Sequence, residues 1–170
     1  MPNQQTDVLI FGCGIAGLGL ALHLADQRQV TVMTKTQPGD ANTWYAQGGI
    51  AAAVGDTDST TEHAQDTMLA SDNLAVDAAV KHIIDEGPAV IQDLVDWGVC
   101  FSQGTDGFDM GMEGGHHARR ILHAGDITGA EIGRALLARA QAHSNIRLLE
   151  NHMAVDLITR RRKLKQQPDR

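Results

Sequence analysis

The sequence predicts an α/β fold with a parallel sheet. Two short apolar runs, "TDVLIFG" near the start and "VTVMT" at Val30–Thr34, are typical of strands buried on both faces of such a sheet. Between them, "GCGIAGLGLALHLADQ" begins with glycines and continues as a helix suited to packing on the sheet. Residues 7–34 are therefore predicted to form a βαβ unit of the Rossmann-like type.

The following elements are predicted from local signals. Ser59 and Glu62 form a capping box that starts a helix running towards Ala70. Apolar residues at helical spacing over 76–95 predict another helix, which Gly87-Pro88 is expected to kink or divide in two.

The last third of the chain is predicted to hold one helix and two strands. "TGAE" (Thr128–Glu131) is a second capping box, and its helix has an apolar face made of Ile132, Leu136, Leu137 and Ala140. "IRLLE" and "MAVDLIT" are predicted to be strands.

Composition narrows the class of protein. The 170 residues suffice for one domain, and no apolar run approaches the roughly 18 residues of a membrane helix. Without such a run, no membrane partner is predicted. Cys13 and Cys100 show no metal-binding or redox spacing, which favours a reducing cytoplasm.

Charge is unevenly distributed. The net charge is −7, although residues 160–170 contain six basic residues and one acidic residue. The remaining body is strongly acidic and would repel phosphate backbones, so nucleic acid is not expected as a partner. The basic segment is predicted to be a solvated, disordered tail.

A glycine motif predicts a phosphate-binding loop. Gly12, Gly14 and Gly17 form G-x-G-x-x-G between the first strand and helix, where they allow a tight turn, approach of a pyrophosphate, and close helix packing. NAD binding is disfavoured because the end of the second strand carries Lys35 and no acid. NADP, with its 2′-phosphate on Lys35, and FAD both remain open.

The segment "NTWYAQGGIAAAV" (Asn42–Val54) suggests contact with a flat ring. Gly48 and Gly49 would let the backbone approach a flavin, while Gln47 or Thr43 could bond its polar edge. A Gly-Gly turn without a ligand is the alternative.

Several motifs together resemble the L-aspartate oxidases, of the flavoprotein superfamily that includes succinate dehydrogenase and fumarate reductase. They are D-V-L-I-x-G-x-G-x-A-G-L, T-W-Y-A-Q-G-G-I-A-A-A, "HAQDTMLA", "EGGHHARRILHAGDITGAEI" and "NIRLLENHMAVDLI". The resemblance implies FAD-dependent oxidation of L-aspartate to iminoaspartate, the first step of NAD biosynthesis, with O2 or fumarate as electron acceptor. It implies a partial FAD-binding domain at 7–159, incomplete at its C-terminal side, followed by the tail at 160–170.

The resemblance also implies the cofactor-binding residues. Pyrophosphate, adenosine and flavin contacts are expected from Gly12, Cys13, Gly14, Ile15, Ala16, Gly17, Lys35, Asn42, Thr43, Trp44, Tyr45, Ala46, Gln47, Gly48 and Gly49. Membrane-complex relatives typically carry a histidine bound covalently to FAD at the position of Asn42. Asparagine cannot form that bond, so non-covalent FAD is expected.

The run "MEGGHHARRILH" raises two further possibilities. A metal site is not predicted, because adjacent histidines point apart and no cysteine joins them. Arg119 and Arg120 could receive the carboxylates of a dicarboxylate substrate. The resemblance nominates Glu113 as a substrate-orienting residue.

The chain is several times shorter than the enzymes it resembles. The arginine that handles the proton would lie beyond residue 170, so we expect a truncated chain that is inactive alone. The alternatives are a fragment of a fumarate reductase or succinate dehydrogenase flavoprotein, and a non-catalytic nucleotide-binding module.

Overall fold

A computed structural model describes residues 4–72 and 74–159 of the chain. Its helices are α1 (Ile15–Ala25), α2 (Thr60–Ala70), α3 (Asp77–Asp96) and α4 (Thr128–Ala142). Its strands are β1 (Val8–Phe11), β2 (Val30–Met33), β3 (Ile50–Ala51), β4 (Gln103–Gly104), β5 (Gly107–Phe108), β6 (Met110–Gly111), β7 (Ile121–Leu122) and β8 (Ile146–Leu149). The tail predicted at 160–170 lies outside the described residues.

The predicted parallel sheet is confirmed. Its strand order is β1-β2-β8, with Val30 of β2 paired to Val8 on one side and to Ile146 on the other. Helices α1 and α4 contact each other and the sheet, and together with the strands they form the core. The βαβ unit therefore has the arrangement that the apolar runs predicted.

Burial of β1 on both faces was a wrong prediction. Ile10 is buried, but Leu9 and Phe11 on the opposite face are 45% and 57% exposed. Central β2 is covered on both faces, since Val30, Thr31 and Val32 are all buried. The difference arises because none of the described elements covers the face of β1 that carries Leu9 and Phe11.

A small antiparallel sheet connects the middle of the chain to the segment that follows Gly49. Its order is β3-β7-β6, and Ile50 pairs with Leu122 while Gly111 pairs with Ile121. The backbone of Arg120 extends this pairing, because its carbonyl accepts from the amide of Ala52. This sheet holds the chain directly after the double glycine.

The predicted cap of α2 is confirmed, but the predicted division of the next helix is not. The hydroxyl of Ser59 accepts from the amide of Glu62, as the capping box predicted for α2. Gly87-Pro88 does not divide the next helix, because α3 runs as one element past Pro88 and packs against α2 along the way. Tertiary packing outweighs the single backbone hydrogen bond that a proline removes.

The second capping box was also a wrong prediction. Thr128 is the first residue of α4, and its hydroxyl accepts from the amide of Ala124. Glu131 accepts from the amide of Cys100 and pairs with Arg134. These side chains bind the loops on either side and do not cap the helix.

The predicted apolar face of α4 is confirmed at Ile132, Leu136 and Ala140, all buried. The strand predicted at "MAVDLIT" does not form, since residues 153–159 have no regular secondary structure and are exposed. None of the helices in the described part of the chain combines the length and apolar character needed to cross a bilayer.

Candidate functional site

A cleft of about 500 Å³ opens at the carboxyl ends of β1 and β2. The chain brings two separate predicted groups to it, the glycine loop Gly12–Gly14 and the residues Asn42 and Thr43. Lys35 lines the same cleft. This is the edge at which parallel α/β sheets bind nucleotides, because the connecting loops meet there.

The glycine loop has the backbone that a phosphate site requires. Gly12 has φ +99°, an angle that residues other than glycine rarely adopt, and its amide donates to the carbonyl of Met33. A Cβ on Gly17 would overlap the carbonyl oxygen of Gly12 and would lie 3.4 Å from Cγ2 of Ile10. Glycine at 17 therefore lets α1 approach β1 and brings the N-terminus of the helix to the cleft.

The N-terminus of α1 offers backbone donors to the cleft. Gly14 precedes the helix in an extended conformation, and the amide of Ile15 donates to the hydroxyl of Thr43 at 3.0 Å. The hydrogen bonds of the described residues include none from the amides of Cys13, Gly14 or Ala16. Free amides at a helix N-terminus fit the pyrophosphate of a dinucleotide.

The predicted ring-contact segment divides into a packed side and an open side. The ring of Trp44 packs against Gly133 of α4, so this side chain anchors the segment to the fold. Gly49 is also packed, because a Cβ there would overlap Ile121 and the carbonyl of Leu122. A Cβ on Gly48 would meet nothing within 4 Å, and Tyr45 is exposed. Gly48 thus faces space that a ligand can fill.

Nine residues of the cleft were missed by sequence reasoning. They are Phe11, Met33, Thr34, Thr36, Asp40, Ala41, His152, Met153 and Ala154. The amide of His152 donates to the carbonyl of Thr34, which ties the end of β8 to the end of β2. A signal for the last three was available, since the ends of neighbouring parallel strands meet at one edge of a sheet.

A buried ionic cluster lies beside the antiparallel sheet. Arg120 is 0% exposed, and its guanidinium forms a bidentate pair with Asp58 at 2.8 and 2.7 Å. It also donates to Asp66 at 2.7 Å, and Asp66 accepts from the backbone and the ring of His117. The proposal that Arg120 receives a substrate carboxylate is therefore wrong, because carboxylates of this chain already occupy it.

The cluster shifts the pKa values of its members. Burial would raise the pKa of the Asp66 carboxyl, but hydrogen bonds from His117 and Arg120 lower it to about 2. Burial would also raise the pKa of the Asp58 carboxyl, but the hydrogen bonds from Arg120 hold it below its usual value. For His63, burial and the nearby positive charge of Arg120 both lower the pKa, and its buried Nδ1 has no hydrogen-bond partner among the described residues. The folded state thus favours charged aspartates and a neutral His63.

The free energy of unfolding is expected to fall in two steps as the pH is lowered. His63 has a folded pKa below its ordinary 6.5, so the unfolded chain takes up that proton first and stability declines below about pH 6.5. Asp66 contributes stability above about pH 3.8, and this contribution is lost as the pH falls towards its folded pKa of about 2. Urea midpoints measured from pH 7.5 down to about pH 2 test both steps.

Matched variants assign the steps. His63→Gln should flatten the upper step and Asp66→Asn the lower one, whereas the exposed His82→Gln should leave the profile unchanged. An unchanged upper step in His63→Gln would contradict the assignment.

The remaining predicted residues lie away from the cleft lining. Glu113 is exposed in the connection between β6 and β7. Arg119 is exposed as well, and it donates to the carbonyl of Met110. The carboxylates of Asp58 and Glu62 and the ring of His117 place possible ligand atoms within 4.8 Å of one another. Because Arg120 already holds both oxygens of Asp58, the absence of a metal stays our prediction.

Comparisons with known proteins agree with this geometry. A family model described as "FAD binding domain" matches residues 7–166. L-aspartate oxidase 1 of Ralstonia nicotianae is 46% identical over 157 residues, which are 90% of this chain and 29% of that protein. The L-aspartate oxidase of Pseudomonas aeruginosa is 41% identical over 168 residues, 94% of this chain and 31% of that protein. The resemblance to L-aspartate oxidases inferred from the motifs is thereby confirmed.

Solved structures share the fold. An E. coli quinol fumarate reductase structure matches with a TM-score of 0.86 and 29% identity, covering 92% of this chain and 27% of that one. Mycobacterium smegmatis Sdh1 in complex with UQ1 matches with a TM-score of 0.81 and 30% identity, covering 89% and 28%. The chain thus spans less than a third of the length of each of these relatives.

Proposed function

Because this chain belongs to the FAD-binding domain family, we propose that it is the cofactor-binding part of an L-aspartate oxidase. The proposed reaction oxidises L-aspartate to iminoaspartate, which feeds NAD biosynthesis. One observation carries the proposal: the glycine loop and the start of the segment Asn42–Gly49 line one cleft in a chain 46% identical to such an oxidase.

The chain's own residues supply the binding of the cofactor. We assign the pyrophosphate to the amides from Cys13 to Ala16 at the N-terminus of α1, because few of these donors are used within the fold. Lys35 lines the cleft beside them and offers a cation near the adenosine part. The segment Asn42–Gly49 would hold the ribityl chain and the ring, with Gly48 presenting its open side.

FAD, the cofactor of this family, supplies a two-electron acceptor when it is bound, and O2 or fumarate would then take up the electrons. The protein contributes position and charge. Glu113 is proposed to orient the substrate, because its carboxylate is exposed and forms no salt bridge with the described residues. A carboxylate there would attract the ammonium group of an amino acid.

A fumarate reductase or succinate dehydrogenase role is the second candidate, favoured by the structural matches. Asn42 argues against the covalently flavinylated members, since it lines the cleft and cannot form a covalent bond to FAD. A cytoplasmic location is part of our proposal, and it is supported by the free thiols of Cys13 and Cys100.

Titration of the purified chain with FAD tests the proposal. We expect saturable quenching of flavin fluorescence together with a rise in melting temperature, because a ligand that binds only the folded state stabilises it. Heating should then release free FAD, as a non-covalent complex requires. Absence of quenching in folded protein would refute the cofactor assignment.

A pair of neighbouring glycines provides a sharper test. Gly48→Ala should change the free energy of unfolding without FAD by less than about 0.5 kcal/mol, since its Cβ meets open space. It should nevertheless weaken FAD binding by about tenfold or more, about 1.4 kcal/mol. Urea unfolding and FAD titration measure the two effects separately.

Gly49→Ala is the control, because it is expected to lower stability in the absence of FAD, which Gly48→Ala should not do. Its Cβ would overlap Ile121 and the carbonyl of Leu122, so it should cost about 1–3 kcal/mol of stability even without FAD. Wild-type FAD affinity in Gly48→Ala would place the cofactor elsewhere.

A further inference from the structure

We propose that Gly129 and Gly133 of α4 are positioning residues that set the direction of the peptide between Ala46 and Gln47. This inference rests on the proposed function, because it concerns how the segment Asn42–Gly49 presents its backbone to the flavin. Both glycines are buried, and they lie four residues apart, so they share one face of the helix.

The first contact is between two backbones. The amide of Gly129 donates to the carbonyl of Ala46 at 3.0 Å. A Cβ on Gly129 would overlap the carbonyl oxygen of Thr43 and would lie 2.7 Å from that of Ala46. Any side chain at 129 would therefore push the segment away from α4 and break this hydrogen bond.

The second contact lies one turn further along α4. A Cβ on Gly133 would lie 2.7 Å from Cε2 and 2.9 Å from Nε1 of Trp44. The indole ring thus rests directly on the bare backbone of the helix. Glycine inside a helix costs about 1 kcal/mol relative to alanine. Two glycines on this face are explained by the close approach that both contacts need.

The two contacts determine where the next amide points. The peptide between Ala46 and Gln47 is trans and planar, so its N–H points opposite to its carbonyl. Since that carbonyl faces Gly129, the N–H of Gln47 points away from α4. Gln47 and Gly48 are both exposed. The donor is thus held away from α4, where it could donate to an acceptor atom of a bound flavin.

The test compares the FAD complexes of three variants of the full chain. Gly133→Ala should displace Trp44, weaken FAD binding by about tenfold or more, and shift the visible absorption bands of the flavin that remains bound. Adding Trp44→Leu to Gly133→Ala makes room for the new methyl group and should recover affinity and spectrum. The matched control is Gly87→Ala on α3, whose Cβ would lie at an ordinary 3.7 Å from Ala52 and should change neither.

The absorption spectrum separates positioning from mere stability. Gly133→Ala with unchanged affinity and unchanged spectrum would overturn the inference, as would a loss of stability with no spectral shift. If Gly133→Ala alone fails to fold, the double variant with Trp44→Leu tests the inference. Failure of this double variant to bind FAD would contradict it. Failure of the wild-type chain to bind FAD is a different result, because it would remove the proposed function itself.

Discussion

Replacing Arg120 with methionine is expected to lower the free energy of unfolding by about 3–5 kcal/mol, the usual cost of removing one partner from a buried ion pair. Arg120 is wholly buried and binds Asp58 through two hydrogen bonds and Asp66 through a third. Methionine fills similar volume but leaves two carboxylates without their cation. Urea denaturation at pH 7 measures the loss.

The neighbouring arginine provides the control. Arg119 is exposed, and Arg119→Met should change stability by less than about 0.5 kcal/mol. Equal small effects in the two variants would show that the buried cluster contributes nothing to the fold. The double variant Arg120→Met with Asp58→Leu should cost less than the sum of the two single changes. Each single change leaves its partner as an unpaired buried charge, and the double variant avoids that penalty for this pair.

The second large effect is expected at Gly17. Gly17→Ala should abolish detectable FAD binding and lower the free energy of unfolding by about 1–3 kcal/mol, since the methyl group would collide with the carbonyl of Gly12. The collision forces the loop away from α1, which removes the amides that we assign to the pyrophosphate. FAD titration and urea unfolding are the measurements.

Gly19 lies two residues further along the same helix and serves as its control. A Cβ on Gly19 would lie 3.7 Å from the ring of Trp97, an ordinary contact, so Gly19→Ala should retain FAD binding. It should also be up to about 1 kcal/mol more stable, because alanine favours helix over glycine. Wild-type FAD affinity in Gly17→Ala would mean that the glycine loop is not the phosphate site.

Elements with local causes were predicted correctly. The unit formed by β1, α1 and β2 follows from two apolar runs and a glycine motif, all within about thirty residues. The cap of α2 needs only Ser59 and Glu62, three positions apart. Such signals act over one or two turns of chain, and they can be read without knowing what packs nearby.

Wrong predictions arose where distant residues changed the outcome. Thr128 and Glu131 have the spacing of a capping box, yet Glu131 accepts from the amide of Cys100, which lies 31 positions earlier in the chain. Of the two outcomes expected at Gly87-Pro88, the division into two helices does not occur, because α3 continues through Pro88 and packs against α2. Contacts between distant residues thus outweighed a local preference of about 1 kcal/mol at the cap and of about 3 kcal/mol at the proline.

By itself, the sequence determined the parallel α/β class, the phosphate loop at Gly12–Gly17 and the resemblance to L-aspartate oxidases. Only the tertiary structure decided that Arg120 is a buried structural cation, that Gly48 is open while Gly49 is packed, and that α4 holds the segment Asn42–Gly49. The physical reason is range. Periodicity and capping act between near neighbours, whereas Arg120 binds Asp58 across 62 positions and Gly129 binds Ala46 across an even longer stretch of chain.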